Sequence, residues 1–203
     1  FGMPSNDLLD EELNGIKSVL DKSLNNNDIL VLSGSLPQNV PTDYYATLIK
    51  QVSNKNIKIV IDTSGPALME ALKEKVFLIK PNQKELAQLA GKDFLSSVEQ
   101  EDFALEMVTS GKAKYVAVSL GARGAFMASK DGVIYQSTPS VSVKSTIGAG
   151  DSMVAGLIYG IKNDFPVNDI LKWGVACGVA TTMNEGTNLA SKSNINNVLK
   201  MLK

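Results

Sequence analysis

The sequence predicts an α/β protein in which a mainly parallel sheet lies between layers of helices, three layers in all. Two observations carry that expectation. Apolar runs of strand length alternate with helical patterns throughout, with no internal repeat and no low-complexity linker. Glycine, serine or aspartate follows several of these runs, at the carboxyl ends of strands where open α/β sheets place their ligands.

The elements follow in order. Leu9, Leu13, Ile16, Leu20 and Leu24 recur at helical spacing, which predicts an amphipathic helix over Asn6–Leu24, ended by Asn25-Asn26-Asn27. Ile29-Leu30-Val31-Leu32 is an unbroken apolar run, suited to a strand buried on both faces. Ser33, Gly34 and Ser35 follow it. Their hydroxyls and amides suit a phosphate, and a plain turn before Pro37 explains them equally well. Thr42 is expected to cap a helix carrying Tyr45, Leu48, Ile49 and Val52. Ile57–Ile61 reads as the next strand, with Asp62 at its carboxyl end as either a ligand group or a turn cap. A short helix over Ala67–Lys73 and a third strand over Val76–Ile79 come next.

Lys80-Pro81-Asn82 leads into a helix from Gln83 to Ala90, closed by Gly91. Asn82 and Glu85 have the spacing of a capping box. Ser97–Ser110 is helical, with Phe103, Leu105, Met107 and Val108 inward, and Tyr115–Val118 is a fourth strand. Gly124–Ala128 and Val133–Tyr135 form a hairpin around Asp131-Gly132. Val141 and Val143 alternate with polar residues and predict a further short strand. Helices follow over the Gly156/Gly160 region, from Trp173 to Thr182, and from Asn194 to Lys203. The glycine pairs Gly156/Gly160 and Gly174/Gly178 are four apart, a spacing that suits close helix packing.

The turn Ser145-Thr146-Ile147-Gly148-Ala149-Gly150-Asp151 carries the chemistry. Gly148 and Gly150 leave backbone N–H groups uncovered at a helix start, where they have no intrahelical partner and can hold an anion. Asp151 then sits at the mouth of a positive pocket, placed to take a proton from a hydroxyl attacking a bound phosphate. The local alternative is that Asp151 is only an N-cap. Met153 stands where a dinucleotide fingerprint has its third small residue, and no Gly-x-x-x-x-Gly-Lys-Ser/Thr occurs, so neither of those phosphate motifs is present.

Composition removes other classes. The 203 residues are 44% apolar and 20% charged, with net charge −1, so nothing favours nucleic acid. There is no histidine, which excludes Ser-His-Asp and Cys-His nucleophiles and most zinc sites. Cys177 is the one cysteine, so no disulfide forms within the chain and a reducing cytoplasm is expected. No apolar run has membrane-spanning length and no signal peptide is recognisable, so no membrane partner is expected.

Four segments together resemble the ribokinase/PfkB carbohydrate kinases. Thr146–Ser152 resembles the family's second signature, and Lys80–Leu86 its Lys-Pro-Asn-x-x-Glu motif. Ser119-Leu120-Gly121-Ala122-Arg123-Gly124 resembles its nucleotide-binding turn, and Ser33–Pro37 is similar to the sugar-phosphate segment of the phosphofructokinase branch. The resemblance implies a ribokinase-like fold, with residues 1–203 as the nucleotide-binding and catalytic part of one domain. It also implies a missing N-terminal third that carries the lid, sugar-binding glycines and the contact of a homodimer.

It implies transfer of the γ-phosphate of Mg-ATP to a phosphorylated ketohexose. Fructose 6-phosphate is the first expectation; fructose 1-phosphate and tagatose 6-phosphate are the alternatives. A non-catalytic nucleotide-binding fragment is the reading of another class. The implied roles are Asp151 as base, with Gly148, Ala149 and Gly150 at the anion hole. Ser33, Gly34, Ser35 and Asp151 would meet the sugar phosphate. Lys80 and Asn82, the turn from Ser119 to Gly124, and Val143, Val175 and Val179 would meet the nucleotide. Asn82 and Glu85 would hold Mg²⁺ through water. Ser145, Ile147, Thr181, Asn184, Gly186 and Asn188 would surround a potassium ion, although Gly186 also reads as a plain helix C-cap.

Overall fold

The computed structural model describes residues 7–202. Asn6, the expected start of the first helix, and Lys203, the expected end of the last, lie outside them. Eight helices and six strands are present among the described residues, in the α/β class expected. The sheet order is β1-β2-β3-β4-β5-β6, the order of the chain itself. The chain divides into two compact units, Phe1–Val116 and Ala117–Lys203, and β4 runs from the first into the second.

In the first unit, β1 (Ile29–Ser33), β2 (Lys58–Asp62), β3 (Val76–Ile79) and the start of β4 (Ala113–Ser119) pair in parallel. The apolar runs that predicted them supply the core: Val60, Ile61, Leu78, Ile79 and Val116 are fully buried. β1 departs from the expectation of burial on both faces. Leu30 and Leu32 are buried, but Val31 is 38% exposed. β1 ends the strand order, and the face bearing Val31 lacks full cover from the described residues.

Helix α1 (Asp10–Ser23) buries only Leu13 of its predicted stripe, and Leu9 and Ile16 are exposed. Hydrogen bonds hold it instead. Tyr44 donates its hydroxyl to the Leu13 carbonyl at 2.9 Å, and Gln51 donates to the Lys17 carbonyl at 2.9 Å. Lys55 donates to the carbonyls of Asp21 and Leu24. Helix α2 (Tyr44–Gln51) starts after Asp43 without a side-chain cap, so Thr42 is not its cap. The Tyr44 amide is satisfied by the Pro41 carbonyl, which removes the need for one. Helices α3 (Gly65–Ala71), α4 (Gln83–Leu89) and α5 (Ser97–Thr109) follow their patterns closely. On α5, however, Ala104 and Met107 are buried while Phe103, Leu105 and Val108 are only partly so.

In the second unit, β5 (Ala125–Ser129) and β6 (Gly132–Gln136) form the expected antiparallel hairpin. Residues 137–146 form no strand, contrary to the alternation at Val141 and Val143. The amides of Lys144 and Ser145 both donate to the Thr182 carbonyl, at 2.8 and 3.2 Å, and so are lost to any strand neighbour. Helix α6 (Ala149–Lys162) packs on α7 (Val167–Thr182), and α8 (Lys192–Met201) packs on α7 in turn.

The α6–α7 contact is a glycine contact. A Cβ at Gly156 would lie 2.5 Å from the Trp173 carbonyl oxygen and 2.9 Å from the sulfur of Cys177. One at Gly160 would lie 2.9 Å from the Ile170 Cα, and one at Gly174 2.7 Å from Leu157. The open end of the pair is filled by Tyr159, Phe165 and Trp173, with the Tyr159 and Trp173 rings 4.5 Å apart. Burial here pushes the Cys177 thiol up to about 11, which keeps it protonated and unreactive at neutral pH.

Two glycine substitutions separate packing from propensity. Gly156→Ala is expected to destabilise the chain by about 1–3 kcal/mol, because backbone atoms stand in the way. Gly15→Ala, in α1 with nothing within 4 Å of the new methyl, is expected to stabilise it by about 0.5–1 kcal/mol. Urea unfolding midpoints of the two variants check both signs.

Candidate functional site

The first turn of α6 is built to leave donors free. Its N-cap is Gly148, at φ 74° and ψ 0°, with no side-chain cap. This left-handed conformation is cheap only for glycine. Asp151 is therefore not the N-cap but an acidic residue of the first turn. Ala149 donates to the Thr146 carbonyl at 3.3 Å, whereas the amides of Gly150 and Asp151 have no acceptor among the described residues. Of the donors expected at this turn, those of Gly148, Gly150 and Asp151 have no acceptor among the described residues, and only that of Ala149 is taken. The Asp151 carboxylate is exposed and makes no hydrogen bond or ion pair among the described residues.

Gly150 lines a cleft of about 720 Å³, within the range of cofactor sites, whereas Gly148 and Asp151 are not part of its lining. Ala149, Gly150 and Thr146 form one end. Val143, Met153, Val175 and Val179 give it apolar walls, and Ser119, Gly121, Ala122 and Gly124 line another side. Val175 and Val179 are buried in the wall, while Val143 is 59% exposed. Leu120 and Arg123, in the same turn, do not line the cleft. The Thr138 hydroxyl donates to the Ala122 carbonyl and the Thr182 carbonyl holds residues 144 and 145, so the irregular segment 137–146 is fixed at both ends. No sequence signal marks Thr138 or Thr182, because the partners are backbone groups remote in the chain.

The turn after β4 contains the 3₁₀ segment Gly121–Arg123. Its glycines have different causes. Gly121 has φ 62° and open space where a Cβ would stand. A Cβ at Gly124 would fall 2.0 Å from the Gln136 carbonyl oxygen, so the approach of β6 demands that glycine, not a ligand. A Cβ at Gly178, on α7, would lie 3.2 Å from the Ala149 carbonyl oxygen, and Gly178 lines the cleft as well.

The proposed cation ligands are divided. The Thr181 hydroxyl donates to Ser152 Oγ at 2.8 Å and accepts from the Ala190 amide at 3.2 Å. Asn184 donates to the Leu189 carbonyl and accepts from Asn194. Both side chains are committed to the protein. The carbonyls of Ser145, Ile147, Gly186 and Asn188 accept no hydrogen bond among the described residues and remain the donor set suited to a hard cation. Gly186 has φ 61°.

In the first unit, the remaining predicted residues stand at or beyond the carboxyl ends of β1, β2 and β3. Ser33, Gly34 and Ser35 are exposed. Lys80 is 7% exposed, with its ammonium 3.2 Å from the carboxylate of Asp62. Removing either partner would leave an uncompensated buried charge. Asn82 and Glu85 form the capping box in full. Asn82 Oδ1 accepts from the Glu85 amide at 2.9 Å, and the Asn82 amide donates to Glu85 Oε2 at 2.8 Å. No group of three or more metal-ligating side chains occurs among the described residues.

A glycine-started helix, a carboxylate in its first turn and an apolar cleft beside it lie together in an α/β protein. The chain matches the model of the pfkB family of carbohydrate kinases over residues 1–194, and it belongs to that family. It is 38% identical over 193 residues to ATP-dependent 6-phosphofructokinase isozyme 2 of Escherichia coli, covering 94% of this chain and 62% of that protein. It is 35% identical to 1-phosphofructokinase of Bacillus subtilis, covering 81% of this chain and 54% of that one. A crystal structure of phosphofructokinase-2 from Escherichia coli in complex with potassium superposes with a TM-score of 0.94 at 35% identity. That match covers 98% of this chain and 65% of the other, and it establishes the three-layer ribokinase-like fold. The chain thus spans less than two thirds of the length of these relatives.

The capping box makes a prediction that needs no ligand. Asn82→Ala is expected to cost about 1 kcal/mol of stability. Thermal unfolding without nucleotide or metal checks it; an unchanged midpoint would release Asn82 from its structural duty.

Proposed function

We propose that this chain is the nucleotide-binding and catalytic part of an ATP-dependent sugar-phosphate kinase. The reaction moves the γ-phosphate of ATP to a hydroxyl of a phosphorylated ketohexose, and fructose 6-phosphate is the first candidate acceptor. The observation that carries this reading is the uncapped first turn of α6, where Gly150 lines the cleft and the adjoining Asp151 carboxylate makes no hydrogen bond or ion pair among the described residues. The relatives named above include both 6- and 1-phosphofructokinases, so fructose 1-phosphate remains an acceptor to test, with tagatose 6-phosphate after it.

The cleft suits Mg-ATP on its own chemistry: valines and Met153 for a base, backbone donors for an anion. In this reading the Asp151 carboxylate takes the proton of the attacking hydroxyl. The Gly150 and Asp151 amides stabilise the charge that develops on the transferring phosphoryl group, aided by the positive end of the α6 dipole. Lys80, Asn82 and Glu85 orient phosphates and hydrated Mg²⁺, and Ser33, Gly34 and Ser35 hold the acceptor's own phosphate. Magnesium, when bound, neutralises charge shared by the phosphate oxygens. Carbonyls of Ser145, Ile147, Gly186 and Asn188 are assigned to a potassium ion, a role supported by the potassium in the Escherichia coli structure's description. A cytoplasmic location and a homodimer belong to the same proposal. No helix among the described residues is long and apolar enough to cross a membrane.

Two measurements test it. Calorimetry with Mg-ATP and an ADP-coupled assay on the three sugar phosphates distinguish a kinase from a nucleotide-binding piece without turnover. Asp151→Asn is expected to lower kcat by about 10²–10⁴ while Mg-ATP affinity is unchanged. Near-full activity of that variant would remove Asp151 from the role of base.

A further inference from the structure

We propose that Tyr45 and Thr63 are positioning residues for the sugar phosphate, holding the Gly34 carbonyl inward so that the Ser35 amide points out at the phosphate. This rests on the reading of Ser33-Gly34-Ser35 as a phosphate segment. The Thr63 hydroxyl donates to the Gly34 carbonyl at 2.7 Å. The Tyr45 hydroxyl shares its one proton between the Ser33 carbonyl at 3.1 Å and the Gly34 carbonyl at 3.2 Å. Both residues are buried, each 9% exposed, whereas the segment they hold is exposed. The Thr63 hydroxyl thus gives the Gly34 carbonyl an undivided hydrogen bond, and the single Tyr45 proton bridges it to the Ser33 carbonyl.

Peptide geometry turns this grip into an aim. The Gly34–Ser35 peptide is trans, so its N–H points opposite to its C=O. With the oxygen fixed toward Tyr45 and Thr63, the Ser35 N–H is directed away from them. That N–H has no acceptor among the described residues, and neither the Ser33 nor the Ser35 hydroxyl is engaged. The other side of Gly34 is anchored too, since its amide donates to the Asp62 carbonyl at 2.9 Å. Gly34 sits at φ 95°, with open space where a Cβ would stand, so the conformation and not crowding calls for glycine. Burial raises the pKa of the Tyr45 phenol, which keeps it a donor at working pH. The result is three free donors on one short turn, of the kind that binds a phosphate without a cation.

The test uses near-isosteric variants Thr63→Val and Tyr45→Phe, with Thr63→Ser as the conservative rescue. Amide hydrogen exchange by NMR follows Gly34, with Val60 and Ile61 of β2 as internal controls. Titration with fructose 6-phosphate and with inorganic phosphate follows the Ser35 amide shift, and calorimetry follows Mg-ATP. Thr63→Val is expected to speed Gly34 exchange and weaken fructose 6-phosphate binding, each roughly tenfold, the worth of about one buried hydrogen bond. Mg-ATP affinity and the β2 controls stay unchanged, and Thr63→Ser restores both losses. If the wild-type chain binds fructose 6-phosphate at Ser35 and the double variant Thr63→Val/Tyr45→Phe binds it equally well, the proposal is overturned while the phosphate-segment reading stands. If neither probe moves the wild-type Ser35 amide, the segment reading itself falls and takes the proposal with it.

Discussion

Helix α6 starts on a glycine in the left-handed region, and nothing on its own chain caps it. A serine, threonine or aspartate at that position would satisfy one of the first-turn donors, and its side chain would occupy the space the donors face. Gly148 does neither. The amides of Gly150 and Asp151 are left to a ligand, and the helix dipole adds its partial positive charge at the same place. Aspartate in a first turn is electrostatically favoured, but this one forms no capping bond. Its carboxylate stays available for chemistry while its own backbone N–H helps form the anion site.

The uncapped turn is useful only if it cannot move. The close approach of α6 and α7 supplies that rigidity: Gly156, Gly160 and Gly174 admit no methyl group without a shift of backbone or core atoms. Packing interiors at this density resists deformation. The same α7 carries Val175, Gly178 and Val179 into the cleft, so one rigid pair of helices fixes both the donors and the apolar wall. At its far end, the Thr182 carbonyl ties down the segment that carries Val143.

Most of this was legible in the residues. The strands are apolar runs in the sequence, and the glycine spacing on α6 and α7 by itself indicates close packing. The uncapped helix start at Gly148 is legible because it depends on local backbone, which sequence records directly. The errors lie where a partner far along the chain decides. Val141 and Val143 alternate like a strand, but Thr182 takes the hydrogen bonds a strand would need. Thr42 has the right chemistry for a cap, one residue too early. The Thr181 and Asn184 side chains are held by Ser152, Ala190, Leu189 and Asn194, contacts that likewise do not show in the sequence. Tyr45 and Thr63 were invisible for the same reason: a tyrosine on an amphipathic helix reads as core until its hydroxyl is seen to meet a backbone carbonyl.

The two glycine turns share one physical logic. At Gly34 and at Gly148, a left-handed glycine turns the backbone so that neighbouring N–H groups lose their internal acceptors. Other groups of the fold then hold the adjoining peptides in place. The one buried cation among the described residues, Lys80, is already paired with Asp62 and contributes little free charge. Oriented amides are a second source of attraction for anions at these turns, each worth about 1.5–3 kcal/mol toward a charged acceptor. Such dipoles act at short range and are pre-oriented, so bulk salt screens them less than it screens exposed lysines. They also discriminate by geometry: an amide rewards an oxygen only along its N–H direction, whereas an ammonium rewards any nearby negative charge. A chain of net charge −1 can in this way hold phosphate groups without attracting polyanions in general.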